Sequence, residues 1–325
     1  MQIKKKINEI LHPKNQLKLY GYNELFLNFD KLYKKNKLPN SVLLSGPKGN
    51  GKSTFIYHFS NYLLSKNEKF SYSLIDFEIN DQNKTHTLIA KGLHPNFYFL
   101  ENDNLNSKIK VDHVRKLLAY VNKSSFSKDL KIIVIDNVET LNLNSANALL
   151  KIIEEPNKNI FFFIIQNNFN NILKTIKSRC IEFKISLYKE NKLMIYKNLS
   201  DQYNLKIDEN IILEHLYYES PGNLINYILS GKNLNFILNN NPLKNIFQLI
   251  KKLESDKKTS KLIFLPYLVE KLYRDICYYN FVNFDNFNNY FLKYKKTIQK
   301  INDMKIFNLN ERNTLSFIKN NLQND

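Results

Sequence analysis

The sequence predicts an α/β domain built on a parallel sheet, followed by two helical units. Three observations carry that expectation. Ser45-Gly46-Pro47-Lys48-Gly49-Asn50-Gly51-Lys52-Ser53-Thr54 holds a complete G-x-x-x-x-G-K-S phosphate loop between an apolar run and a stretch with helical spacing. Up to about residue 185, short β-rich runs alternate with amphipathic stretches, the pattern of a parallel sheet covered by helices. Beyond residue 186 the β-type runs stop and only helical spacing remains.

Taken in order, the expected strands are Ser41–Ser45, Phe97–Leu100, Lys131–Ile135, Ile160–Gln166 and Ile181–Lys184. Val42-Leu43-Leu44 reads as a short buried strand, and residues 55–64 after the loop carry apolar side chains at helical spacing. Helices are expected over 111–121 and 145–154, the second unable to continue because Pro156 follows. Helical spacing then runs through 189–203, 208–219, 223–230, 243–254, 261–279 and 284–300. The turn-rich Leu238-Asn239-Asn240-Asn241-Pro242 marks the expected boundary between the two helical units.

At 325 residues and 43% hydrophobic content, the chain exceeds one ordinary core and supports two or three. The net charge of +18 suits an acidic partner such as nucleic acid. The same excess of Lys, with abundant Asn, Ile, Phe and Tyr and no Trp, is also what an AT-rich genome would place at neutral surface positions. Cys180 and Cys277 stand far apart, which excludes a disulfide framework and a cysteine zinc module and points to a reduced, cytosolic protein. The longest apolar run, 160–165, falls far short of the roughly 20 residues that span a bilayer. The basic start, Met1 to Lys6, is followed by no secretory segment, so neither a targeting signal nor a membrane anchor is expected.

The candidate site follows from the loop's chemistry. Gly46, Gly49 and Gly51 let backbone N–H groups converge on an anion, with Pro47, Lys48 and Asn50 completing the turn. Lys52 would reach the β/γ-phosphates, the Ser53 hydroxyl would bind Mg²⁺, and Thr54 continues the helix whose N-terminal dipole favours the phosphate. Asp136 ends an apolar strand; it either caps the next turn or, beside the phosphate loop, holds the Mg²⁺ shell. ATP and Mg²⁺ are therefore the expected cofactors. Asn137 stands where an ATPase of the additional-strand type normally has Glu, and an amide cannot accept the proton of an attacking water. Glu139 reads as a solvent-facing or capping carboxylate rather than a displaced base. Gln166 or Asn167, at the end of its strand, could sense the γ-phosphate or serve as a plain strand cap.

Further residues carry a family resemblance. Leu38-Pro39-Asn40-Ser41 leads into the loop, and His94-Pro95-Asn96 and Val111-Asp112-His113-Val114-Arg115 follow. Asn144-Ser145-Ala146-Asn147-Ala148-Leu149-Leu150-Lys151-Ile152-Ile153-Glu154-Glu155-Pro156, Ser178-Arg179-Cys180 and Ser220-Pro221-Gly222 come next. Read in order through most of the first 230 residues, these motifs resemble the delta-prime family of bacterial DNA polymerase III clamp-loader subunits, within the AAA+ superfamily. The Asn-Ala-Leu-Leu-Lys helix and the Ser-Arg-Cys triplet are the most specific pieces.

The resemblance implies an AAA+ nucleotide-binding domain over 1–185, a helical lid over 186–238 and a C-terminal helical collar over 239–325 that closes a five-subunit ring. It makes Arg179 an arginine finger acting in trans on a neighbour's ATP site; the plainer reading is a surface ion pair. It implies gamma/tau and delta subunits as partners, the sliding clamp indirectly, and primer–template DNA within the assembly. Three departures bear on activity: Asn137, Asn223 where relatives often place a phosphate-sensing arginine, and the absence of zinc-binding cysteines. Together they imply a component of the polymerase III holoenzyme that binds ATP and hydrolyses it weakly or not at all, a stator in DNA replication. The alternatives are a self-sufficient AAA+ ATPase such as the gamma/tau motor, and a small-molecule phosphoryl transferase, in whose chemistry the Asn-Ala-Leu-Leu-Lys helix and the Ser-Arg-Cys triplet have no part.

Overall fold

All five expected strands form, at the expected bounds, in the computed structural model: β1 (Ser41–Ser45), β2 (Phe97–Leu100), β3 (Lys131–Ile135), β4 (Ile160–Gln166) and β5 (Ile181–Lys184). The structure describes residues 10–102, 109–123, 130–154, 156, 159–167, 172–205, 209–232, 241–255, 265–279, 284–307 and 309–323. The chain divides into two units, Leu11–Leu199 with Ser220–Gly222, and Met1–Ile10 with Ser200–Glu219 and Asn223–Asp325.

In the first unit the strands pair in the order β2-β3-β4-β1-β5, every pairing parallel. Every residue of β1, β3 and β4 is buried, which explains why these strands read as continuous apolar runs rather than alternating ones. Their side chains still alternate between faces. From β4, Phe161, Phe163 and Ile165 join one core with Val42, Leu44, Phe55 and Phe59, while Phe162 and Ile164 join the other with Leu43, Ile133 and Ile135. β5 is a sheet edge with half-buried to exposed residues, and its Glu182 accepts from the Ser45 hydroxyl at 2.6 Å and pairs with Lys177 at 3.0 Å.

The helices of this unit are α1 (Asn23–Lys34), α2 (Lys52–Leu64), α3 (Lys84–Ala90), α4 (Val111–Lys123), α5 (Leu143–Glu154), α6 (Lys174–Lys177) and most of α7 (Lys189–Gln202). α1 and α3 were not expected from the sequence. α1 is held by Phe26 and Phe29, both fully buried. Phe26 stacks on Tyr72 with centroids 5.2 Å apart and meets Phe55, Phe59, Tyr62 and Phe77 edge-on. α3 has only seven residues and forms because its N-terminal amides are taken up: Asn83 accepts from His86 N, and Glu68 from Lys84 and Thr85 N. α5 starts two residues earlier than its apolar spacing suggests because the Asn142 side chain accepts from Ser145 N at 2.8 Å.

Among its described residues the second unit is helical: α8 (Glu209–Tyr218), α9 (Pro221–Lys232, whose first two residues belong to the first unit), α10 (Pro242–Ser255), α11 (Leu265–Tyr279), α12 (Phe284–Phe307) and α13 (Glu311–Gln323). α12 runs past residue 300, and α13 was not expected. Of the expected boundary 238–242, residues 238–240 lie outside the described residues, as do Asp208, Glu155 and 261–264. His215 is buried and bonds the Tyr267 hydroxyl, while Lys271, 1% exposed, reaches Glu214 at 3.2 Å. No helix among the described residues is long and apolar enough to cross a membrane.

Because Phe26 sits at the junction of five other rings with no room for water, Phe26→Ala should lower stability by about 3–5 kcal/mol. Urea unfolding followed by circular dichroism checks this, and a loss well under 1 kcal/mol would mean that α1 is not anchored there.

Candidate nucleotide-binding site

Parallel pairing brings the carboxyl ends of β1, β3 and β4 to one edge of the sheet, with Ser45 opposite Gln166 and Ile135 opposite Ile164. The phosphate loop, Asp136 and Asn167 are the next residues in each chain segment and therefore meet. Gly46 leaves β1 so close to the chain after β5 that a Cβ there would lie 2.3 Å from the Ile185 carbonyl oxygen. The loop ends at Gly51, the left-handed N-cap of α2 with φ 86°.

Lys52 is 3% exposed, and its ammonium donates to the Gly46 carbonyl at 2.8 Å and the Pro47 carbonyl at 2.7 Å. Burial pulls its pKa down to about 8, partly offset by the charges of Asp136 and Glu139. Ser53 Oγ donates to Asp136 Oδ2 at 2.7 Å. A hydroxyl and a carboxylate oxygen so placed are the hard oxygen donors that suit Mg²⁺. Asp136 Oδ1 accepts from Asn137 N at 2.7 Å and Asn167 Nδ2 at 3.1 Å. Pro47 and Lys48 are exposed, Asn50 is buried, and Gly49 and Thr54 are half-buried.

Two residues given secondary roles by the sequence lie within this network. Asn167 is the strand-end residue turned into the site: its side-chain amide bridges Asp136 and the Asn137 Oδ1 at 2.9 Å. Glu139 caps, as one reading expected, but from inside the site rather than from solvent. Both its carboxylate oxygens accept from Asn167 N, at 3.1 and 3.3 Å. Burial raises its pKa, against the lowering effect of those hydrogen bonds. Sequence reasoning missed Tyr22 altogether. Its buried phenol donates to the Asn50 carbonyl, a contact between residues 28 positions apart that no local spacing signals. Tyr22 also borders a cleft of about 400 Å³ lined by 21–25, 184–187, Asn191 and Met194. Among Ser220 to Gly222, the Gly222 amide donates to the Gly49 carbonyl at 3.1 Å.

Arg179 follows α6 and is one-third exposed. Its guanidinium pairs with Glu154 at 2.8 Å and donates to the Thr175 carbonyl at 3.1 Å, while its Nε is buried with no hydrogen-bond partner. Neighbouring Cys180 is half-buried with its thiol pushed up to about 12, which leaves it unreactive near neutral pH. Asn223, in the second unit, donates to Glu219 at 2.8 Å.

Residues 21–189, just over half of the chain, match the model of the family described as DNA polymerase III, delta subunit. The chain belongs to this family. A DNA polymerase III subunit delta' of Pseudomonas aeruginosa is 32% identical over 143 residues, covering 44% of this chain and 42% of that protein. Other relatives named delta' are 26–28% identical. A subunit gamma of Buchnera aphidicola is 27% identical over 230 residues, covering 65% of this chain and 61% of that one. The chain spans about half the length of the first delta' relatives it matches. A solved gamma subunit-related protein of Thermotoga maritima shares 17% identity at a TM-score of 0.43, with 90% of this chain and 99% of that one covered. The expected fold class holds in its phosphate-loop α/β domain on a parallel sheet with a helical C-terminal part.

The raised pKa of Glu139 has a thermodynamic consequence. A carboxyl that binds its proton more tightly when folded makes stability fall as pH rises from the ordinary carboxylate range through the raised value. Glu139→Gln should remove that part of the decline, seen as a flatter plot of urea unfolding free energy against pH; parallel plots for the two proteins would show that Glu139 is solvated after all.

Proposed function

We propose that this chain is a delta-prime-type stator of a DNA polymerase III clamp loader, which binds ATP–Mg²⁺ and contributes little or no hydrolysis of its own. The observation that carries the reading is the pairing of a complete phosphate-binding set with an amide in place of a base. Ser53 and Asp136 lie 2.7 Å apart beside Lys52, while Asn137, next to Asp136, is itself hydrogen-bonded by Asn167 and cannot take a proton from water. The cleft beside Tyr22 has the volume for a nucleoside. When bound, Mg²⁺ would supply charge neutralisation between phosphate oxygens, held by Ser53 and Asp136; Lys52 would exchange its loop carbonyls for phosphate.

On this reading 1–185 forms the nucleotide-binding domain, 186–238 the lid and 239–325 the collar, and the protein works in the cytoplasm with gamma/tau and delta subunits, the sliding clamp and primer–template DNA. Arg179 would act in trans, trading the Glu154 carboxylate for a neighbour's γ-phosphate. Such a group is worth roughly three to five orders of magnitude in rate. The gamma-named relatives and the placement of Glu139 inside the site keep a hydrolysing motor as the second reading.

Calorimetry on the full chain should find ATP–Mg²⁺ binding that Lys52→Ala abolishes, with steady-state turnover near background. Robust turnover lost in Lys52→Ala would favour the motor instead. With the Lys52 pKa near 8, affinity should weaken as pH rises through about 8, where the ammonium loses its proton; Lys52→Arg, whose charge does not titrate there, should flatten that dependence. In a loader reconstituted with its gamma/tau and delta subunits, Arg179→Ala should leave assembly intact and lower the DNA- and clamp-stimulated ATPase, and an unchanged ATPase would remove the trans role.

A further inference from the structure

A trans peptide holds its N–H antiparallel to its C=O, so whatever grips the carbonyls of a phosphate loop also aims the loop's amides. Two of these carbonyls are gripped by groups outside the loop. The Gly222 amide, at the start of α9, donates to the Gly49 carbonyl at 3.1 Å, and the Tyr22 phenol, at the N-cap of α1, donates to the Asn50 carbonyl. With those carbonyls fixed, the N–H groups of Asn50 and Gly51 in the same two peptides must face the opposite side. The other end of the loop is handled from within, since Lys52 takes the Gly46 and Pro47 carbonyls.

Both grips are built. Tyr22 is 6% exposed and packs its ring against Phe55 of α2, centroids 5.7 Å apart, so α2 and the loop before it share one support. Burial pushes the phenol's pKa up, which keeps it a donor at any working pH. At Gly222 a Cβ would stand 2.6 Å from the Gly49 carbonyl oxygen and 3.4 Å from its Cα, so only glycine lets α9 start this close to the loop. That accounts for the glycine of Ser220-Pro221-Gly222, for which the phosphate chemistry itself has no use.

We propose that Tyr22 and Gly222 are positioning residues that fix the orientation of the Asn50 and Gly51 amides, and so preform the anion cradle before phosphate arrives. The cradle's ligand, a nucleotide phosphate, rests on the reading under Proposed function; the orientation itself does not.

The test uses the full chain, held well below its unfolding temperature, with Tyr22→Phe, which keeps the ring and removes only the donor, and Gly222→Ala. Without nucleotide, the order parameters of the Asn50 and Gly51 N–H groups measured by NMR should fall from the rigid range of about 0.85 toward about 0.6 in both variants, while those in β1 and β4 stay unchanged. Unaltered order parameters at those two amides overturn the proposal, whatever binds. ATP–Mg²⁺ affinity by calorimetry should fall about tenfold in Tyr22→Phe. A lower unfolding midpoint with unchanged affinity would leave Tyr22 as mere packing and also overturns it. A wild-type chain that takes up no ATP–Mg²⁺ refutes the nucleotide reading alone, and the order-parameter measurement still decides the orientation.

Discussion

A single buried ammonium governs the first unit. Lys52 places a cation at 3% exposure, and no surrounding water can solvate it, so the loop must supply the dipoles. The Gly46 and Pro47 carbonyls do this at 2.7–2.8 Å, which bends the loop around the lysine. Gly46 can make that bend only because it has no side chain against Ile185, and Ile185 is there because β5 pairs with β1. The order of the sheet, the shape of the loop and the lowered pKa of the lysine are therefore one arrangement seen at three scales.

The sheet was legible because its strands are buried on both faces. Runs such as Lys131–Ile135 and Ile160–Gln166 carry too little polarity to be anything but interior, and their ends fall where the first polar residue appears. The helices were less so. α3 depends on caps from Asn83 and Glu68 rather than on periodicity, and α1 on an aromatic junction whose members come from separate parts of the chain. In the site, motif residues could be named from spacing alone: Lys52, Ser53 and Asp136 meet as expected. What spacing cannot show is which groups hold the motif in shape. Tyr22 acts through space, and nothing in its neighbours along the chain marks it; a strand end pointed to Asn167 and a capping role to Glu139, but spacing does not show that the two bond each other inside the site.

Arg179 shows the same limit in another form. The Asn-Ala-Leu-Leu-Lys helix and the Ser-Arg-Cys triplet are separate signals in the sequence, yet the ion pair from Glu154 to Arg179 joins the end of one to the middle of the other. With Arg179 one-third and Glu154 more than half exposed, this pair contributes little to stability. What it does is hold a long, flexible guanidinium in one place, with its Nε already withdrawn from solvent.

The edge strand β5 carries a different burden. An open parallel sheet ends in unpaired backbone groups, which invite pairing with any other extended chain. β5 is four residues long, with Glu182 and Lys184 along it and Glu182 tied back to Ser45 and Lys177. A foreign strand docking there would have to strip charged side chains of water or break those ties. A short, charged margin of this kind makes β5 a poor template for another strand, so this edge of the sheet stays closed to edge-to-edge pairing.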